Sequence, residues 1–289
     1  MNITFYLHDE NDSDAVEAKL VWLKKHFRFV SAQELYNFYY ENIPLSNTCH
    51  LTIDDGWIST YKIIFPLLKK YNIPASIFVS PRFCNGRKNF WYMDLPYCDK
   101  DLIKNELIQR KIFSLEISNY PIELILKEIP IDLVYEIIEK YKPQSGIQKK
   151  VVGIDELIEM DKSGLIEIGA HTITHPILSM ENDERSFDEI KSSVAELENM
   201  LQHKIISFAY PNGLYGIDYS EREIEYVKSC GIKLAYSVTP GIISQDNNPL
   251  SIPRIGSFKR LYLGKLGIKL PSLQNQAGIR ERIRKYLLK

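Results

Sequence analysis

The polar clusters of this chain fall at regular places. Each follows directly on a short apolar run. Ile3 to His8 closes in His8-Asp9-Glu10, and His50 to Ile53 runs into Asp54-Asp55-Gly56. Leu165 to Ala170 leads into His171-Thr172-Ile173-Thr174-His175, and Ile205 to Tyr210 into Pro211-Asn212-Gly213. Runs of this length, rich in β-branched and aromatic residues and bounded by turn formers, read as strands. Ala75 to Val79, Leu234 to Val238 and Ser251 to Ile255 read the same way. Between them lie segments with apolar residues at helical spacing: Ala15 to Phe27, Ala32 to Glu41 behind a Ser31/Glu34 capping box, Ser59 to Tyr71, Asp155 to Lys162, Phe187 to Leu201 and Ser220 to Cys230. Strand, helix, strand succession predicts a parallel sheet with helices outside. In α/β barrels the carboxyl ends of the strands form one rim, so the four polar clusters are expected to converge there.

Residues 84 to 150 break this rhythm. They hold an aromatic patch, Phe90, Trp91, Tyr92 and Tyr97, and two helical segments, and read as an insertion, a possible lid, on one domain spanning 1–289. A C-terminal helix over about 273–289 carries Arg280, Arg282, Arg284, Lys285 and Lys289, a pattern expected of a solvated helix face. The 36 basic residues nearly balance the 37 acidic ones, giving a net charge of -1; the basic excess of a nucleic-acid binder is absent. Cys49, Cys84, Cys98 and Cys230 lack CxxC spacing and read as free thiols of a reducing compartment. The first residues do not form a secretory signal, and no apolar stretch approaches the about 20 residues of a membrane span. A soluble cytoplasmic protein is expected, with no nucleic-acid partner and an open oligomeric state.

Two adjacent carboxylates at a strand end repel each other. That is tolerable when one binds a cation and the other stays free to take a proton. Gly56 allows the sharp turn this requires, although Asp-Gly is also a common surface turn. His171 and His175, four apart on a loop before Pro176, can reach one metal ion; alone they also fit two unrelated surface histidines or a structural metal site. Asp55 with His171 and His175 makes a set of two histidines and one carboxylate, with a coordination position left for water. Asp54 is then placed as general base. The chemistry that fits is hydrolysis of an amide or ester through a tetrahedral oxyanion.

These fragments resemble the polysaccharide deacetylase family, carbohydrate esterase family four. Its Thr-Phe-Asp-Asp-Gly signature is matched by Thr52-Ile53-Asp54-Asp55-Gly56, its paired-histidine signature by His171 to His175, and its third by Phe208-Ala209-Tyr210-Pro211-Asn212-Gly213. Ile168-Gly169-Ala170 and Pro176-Ile177-Leu178-Ser179 fit as well, and the likeness runs over roughly 2–83 and 150–257. The branch it resembles is associated with surface-polysaccharide assembly. The resemblance implies a distorted (β/α)7 barrel, Asp54 as base, and Asp55, His171 and His175 holding a divalent metal, with zinc the expected ion among several that suit such ligands. It also implies an oxyanion and substrate segment at Tyr210 and Asn212, where a backbone N–H would help hold the oxyanion. The substrate implied is an N-acetylated sugar or glycan precursor.

The chain departs from the family pattern in two places. An arginine that often pairs with the base is replaced by Ala209, and Arg254 in Ile252-Pro253-Arg254-Ile255 is the candidate substitute; it also reads as a surface arginine at a strand end. No histidine follows His203 to act as general acid; His8 is the candidate, or else a histidine packed at the barrel mouth. Trp57 and Trp91 are candidates to line a sugar groove, though aromatics are more often core. His26, His50 and His203 read as structural. Two other functions remain open: hydrolysis of another amide, such as an N-formyl sugar or a cyclic imide or ureide, and a catalytically dead carbohydrate-binding protein.

Overall fold

The computed structural model describes residues 1–86, 88–256 and 271–287, with side chains of the last segment from 276 on. Its centre is an all-parallel sheet built from β1 (Ile3–Leu7), β2 (Arg28–Phe29), β3 (Thr48–Ile53), β4 (Ala75–Val79), β5 (Ile166–Ala170), β6 (Ser207–Ala209), β7 (Leu234–Tyr236) and β8 (Ile255–Gly256). The order across it is β7-β6-β5-β4-β3-β1-β8, with β2 paired to the edge of β3. The two ends of this order meet through one segment. Ile252 bridges Tyr236 of β7, and three residues on β8 pairs with β1. The sheet is thus curled into the distorted barrel expected from the sequence.

Alternation along the strands separates two environments. Cys49, Leu51 and Ile53 of β3, with Ile77 and Val79 of β4, face outward into the main core. There they meet α1 (Ser13–His26), α3 (Phe65–Tyr71, after a π-helical turn Thr60–Ile64), α9 (Ile154–Asp161), α10 (Asp183–Leu201) and α11 (Glu221–Ser229). The inner face carries small and polar residues, Thr48, His50, Thr52, Ser76 and Ser207, all buried. Phe78, Leu234 and Tyr236 form a separate cluster with Leu35 and Phe38 of α2 (Ala32–Tyr40). His50 bridges the inner face: its Nδ1 meets the Val30 carbonyl at 2.9 Å, and its Nε2 meets the hydroxyls of Ser76 and Tyr236, each at 3.1 Å. Its role there is structural.

Residues 84 to 150 contain more helix than their sequence suggests. Beyond α4 (Pro81–Asn85) come α5 (Trp91–Asp94), α6 (Lys100–Gln109), α7 (Ile122–Ile125) and α8 (Ile131–Tyr141). They form a second core around Trp91, Ile103, Leu107, Phe113 and Ile137, and Ile283 of α12 (Pro271–Arg284) completes it.

That contact corrects one expectation. The basic C-terminal stretch is not merely a solvated face: Arg280 is buried, ion-paired to Glu128 of the insertion and to Asp218 of the loop after β6, and Arg284 also reaches Glu128. Charge patterning could not reveal this, because the partners lie more than 60 residues away in sequence. Arg282 is exposed as expected, and Lys289 lies outside the described residues. Among the described residues no helix is long and apolar enough to cross a membrane.

Removing one partner of a buried ion cluster strands the others in a low dielectric, which costs about 3–5 kcal/mol. Arg280→Met is therefore expected to lower stability by that amount in urea denaturation, while exposed Arg282→Met stays within about 0.5 kcal/mol.

Candidate active site

Consecutive residues of an extended strand point to opposite faces, so Asp54 and Asp55 should not share a site. The backbone resolves this. Asp54 extends β3 by one residue, its N–H bonded to the Leu7 carbonyl at 3.1 Å, and faces inward. Asp55 and Gly56 then adopt left-handed conformations, with φ of 70° and 60°, turning the second carboxylate toward the same mouth. Gly56 also has no room for a side chain, since a Cβ would lie 2.8 Å from Val79 Cγ1.

On the neighbouring rim, β5 delivers His171. Its loop is held by residues on several sides. Thr172 and His175 have φ of 63° and 58°, and Thr172 Oγ1 accepts from the His175 N–H at 3.1 Å. Glu189 of α10 accepts from the N–H groups of Ile173 and Thr174 at 2.9 and 2.8 Å and from Thr174 Oγ1 at 2.6 Å. His171 Nδ1 lies 2.7 Å from the Ala209 carbonyl, which only accepts. This fixes the proton on Nδ1 and leaves the lone pair on Nε2.

The Nε2 atoms of His171 and His175 each lie 3.4 Å from Asp55 Oδ1. That oxygen is buried and has no hydrogen-bond partner. Asp55 Oδ2 accepts from Trp57 Nε1 at 3.1 Å. The three side chains are buried, with donor atoms all within 4.8 Å of one another. A neutral imidazole lone pair facing an unpartnered carboxylate oxygen is repulsive unless a cation lies between them, so this set fits a divalent metal, and its nitrogen and oxygen donors suit zinc. Burial pushes the Asp55 carboxyl up, but protonated imidazoles at His171 and His175 outweigh it and hold it well below its ordinary value; with the imidazoles neutral, a cation has to take over that part. Burial lowers the pKa of His175, favouring the neutral form a metal ligand needs.

Asp54 is paired on its other side. Arg254, fully buried, donates from both terminal nitrogens to its two oxygens at 2.8 Å each. The same guanidinium donates to Thr52 Oγ1 at 3.2 Å and from Nε to the Ser237 carbonyl at 2.7 Å, and lies over the Tyr6 ring at 4.8 Å. Burial raises the Asp54 pKa, but Arg254 and then His8 outweigh it, and the carboxyl sits below its ordinary value. His8 stands at the mouth, its side chain 46% exposed and its Nε2 3.6 Å from Asp54 Oδ2, too far for a hydrogen bond.

Asn212 is half-buried at the end of β6, with φ 57°. Two residues expected at the substrate lie elsewhere. Tyr210 is buried on the outer face, stacked on Tyr219 at 3.7 Å and donating to the Leu250 carbonyl at 2.9 Å; alternation puts it on the face opposite Ala209. Trp91 is buried in the insertion's own core. Its neighbour Tyr92 takes the place beside the site, edge-on to His175 at 5.1 Å and 6.3 Å from Trp57. Burial, and then the Asp55 charge, push the Tyr92 phenol well above its ordinary pKa. Tyr92 and Glu189 were missed in the sequence. For Glu189 a signal existed, a carboxylate on the same helical stripe as Ile190, Val194 and Leu197.

A family model described as polysaccharide deacetylase matches residues 43–235. Curated relatives named poly-beta-1,6-N-acetyl-D-glucosamine N-deacetylase, from Staphylococcus aureus strains MRSA252 and N315, are 22% identical over 248 residues, 83% of this chain and 64% of theirs. The chain thus spans less than two thirds of the length of these relatives. Among solved structures, the deacetylase PplD of Streptococcus pyogenes in complex with acetate aligns with a TM-score of 0.60 at 20% identity, over 89% of this chain and 92% of that one. IcaB from Ammonifex degensii aligns with a TM-score of 0.61 at 19% identity, over 89% and 91%. The likeness to both is one of fold, the curled parallel α/β barrel.

Arg254→Met leaves a buried carboxylate without its counter-charge, with an expected loss of about 3–5 kcal/mol near neutral pH. In the wild type the lowered Asp54 pKa contributes stability above the unfolded-state pKa that is lost as pH falls. Without Arg254 that contribution is absent, and a protonated Asp54 is the better-tolerated form. The stability gap between the two proteins, measured by urea denaturation across pH, is therefore expected to narrow on acidification.

Proposed function

The chain belongs to the polysaccharide deacetylase family, and on that premise we propose that it is a metal-dependent hydrolase that removes the N-acetyl group from an amino sugar in a glycan or its precursor. The observation that carries the reading is the unpartnered Asp55 Oδ1 facing the Nε2 atoms of His171 and His175 beside a second, arginine-paired carboxylate. Asp55, His171 and His175 would hold the ion, with zinc the proposed occupant. When bound, a divalent ion there supplies Lewis-acid polarisation of the acetyl carbonyl and lowers the pKa of its water to about 7.

The chain's own groups do the rest. Asp54 accepts the proton of the attacking water. Both its oxygens carry an arginine donor, but an ionised carboxylate has about four lone-pair sites, so about two remain, one of them for the water. Arg254 fixes the direction of that carboxylate and keeps it ionised. The developing oxyanion is met by the backbone N–H at Asn212, which has no hydrogen-bond partner among the described residues. When the carbon–nitrogen bond breaks, His8 delivers a proton to the leaving amine from the open side of the mouth. Water and amide are thereby converted to acetate and a free amino sugar, and the two proton carriers reset by exchange with solvent. Trp57, half-buried next to Asp55, is the proposed aromatic contact for the sugar ring.

The test is acetate release from a panel of N-acetylated sugars and oligosaccharides. Chelator is expected to abolish release and added zinc to restore it. Asp54→Asn is expected to lose about 10²–10⁴-fold in rate, the size of a general-base contribution, while still binding metal. Metal bound without acetate released from any member of the panel would redirect the reading to another amide, such as an N-formyl sugar. A wild-type chain that takes up no metal would overturn it.

A further inference from the structure

Three buried polar atoms around this site have no hydrogen-bond partner: Asp55 Oδ1, His175 Nδ1 and Tyr92 Oη. A cation accounts for the first. The third belongs to the insertion, not to the barrel. The Tyr92 ring stacks on Phe90 at 5.3 Å with an interplanar angle of 8° and presents its edge to His175. Phe90 also lies edge-on to His175, at 5.4 Å. For packing alone, a second phenylalanine at position 92 would serve as well. A buried tyrosine hydroxyl ordinarily finds a partner; this one makes no hydrogen bond of ordinary geometry, and after burial the group that acts on it most is the Asp55 carboxylate. On the other edge of the carboxylate, Trp57 Nε1 already donates to Asp55 Oδ2 at 3.1 Å.

We propose that Tyr92 is a positioning residue for the metal ligands, its O–H directed as a second donor at the Asp55 carboxylate. Indole and phenol then hold Asp55 from two sides, one from the turn after β3 and one from α5. Donors that orient a ligating carboxylate tune the affinity of the site. The insertion is in consequence part of the metal site, and not only a wall of the substrate groove. The inference rests on the metal reading above.

The experiment is metal titration of the purified, metal-stripped full chain, wild type against Tyr92→Phe, by competition with a chromogenic zinc chelator. Tyr92→Phe keeps the ring contacts and removes only the donor. Its zinc affinity is expected to fall about 10–100-fold, the usual effect of losing an outer partner of a metal ligand. Trp57→Phe is expected to weaken binding in the same way, and the metal-free thermal midpoint of Tyr92→Phe should match the wild type. With cobalt in place of zinc, the visible absorption bands should also shift in Tyr92→Phe. Equal zinc affinity of wild type and Tyr92→Phe would overturn the proposal. So would unchanged affinity with a lowered kcat at constant KM, since the phenol would then act on the substrate. Absence of binding in the wild type would remove the metal reading and this inference together, and the wild-type titration tells that outcome from the others.

Discussion

The pair formed by Arg254 and Asp54 is the interaction on which the rest of the site depends. Arg254 sits in the segment that joins the two ends of the sheet, between the bridge at Ile252 and the strand at Ile255–Gly256. Its guanidinium binds across the barrel interior to the end of β3 and to the Ser237 carbonyl. A buried ion pair is weak evidence for net stability, because desolvating both charges offsets much of their attraction. Its use here is geometric. Donors in a rigid fork fix where the Asp54 oxygens point, and they do so from a segment that touches both ends of the sheet.

Much of this was legible in the sequence because it is local. Strand positions, and the polar clusters at their ends, follow from apolar runs and turn residues that each span only a few positions. What escaped depends on orientation or on distant partners. Phe90, Trp91 and Tyr92 are consecutive, so the sequence marks an aromatic patch. On a short helix, however, successive side chains diverge by roughly 100°, and which one turns inward is set by the packing of a separate core. The place of Tyr210 is itself local: Phe208 and Tyr210 share a face by alternation, and Ala209 has the other. Arg280 was not readable, since nothing near it in sequence foretells Glu128 or Asp218.

The insertion and the C-terminal helix turn out to be one assembly. The hydrophobic contact of Ile283 and the ion pairs of Arg280 and Arg284 tie α12 to the second core, and Asp218 ties both to the loop that follows β6. That loop begins at Pro211-Asn212-Gly213, beside the strand whose Ala209 carbonyl orients His171. Two cores therefore flank the same mouth. The barrel presents the carboxylates of Asp54 and Asp55 and the imidazoles of His171 and His175, and the second core covers one side with Tyr92.

Glu189 shapes the site without entering it. Reaching from α10, it gathers three donors of the loop between the two histidines and is itself steadied by Arg185 at 3.1 Å. These bonds shape the loop through groups that are not themselves metal ligands. In zinc-finger peptides the ion and the fold arrive together, because binding energy is folding energy. Here the loop is tied by side chains that are not ligands, so for an ion held as proposed, folding and metal uptake would be separate events. For an ion held as proposed, its identity in a living cell would then be decided by supply and not by the ribosome's timing.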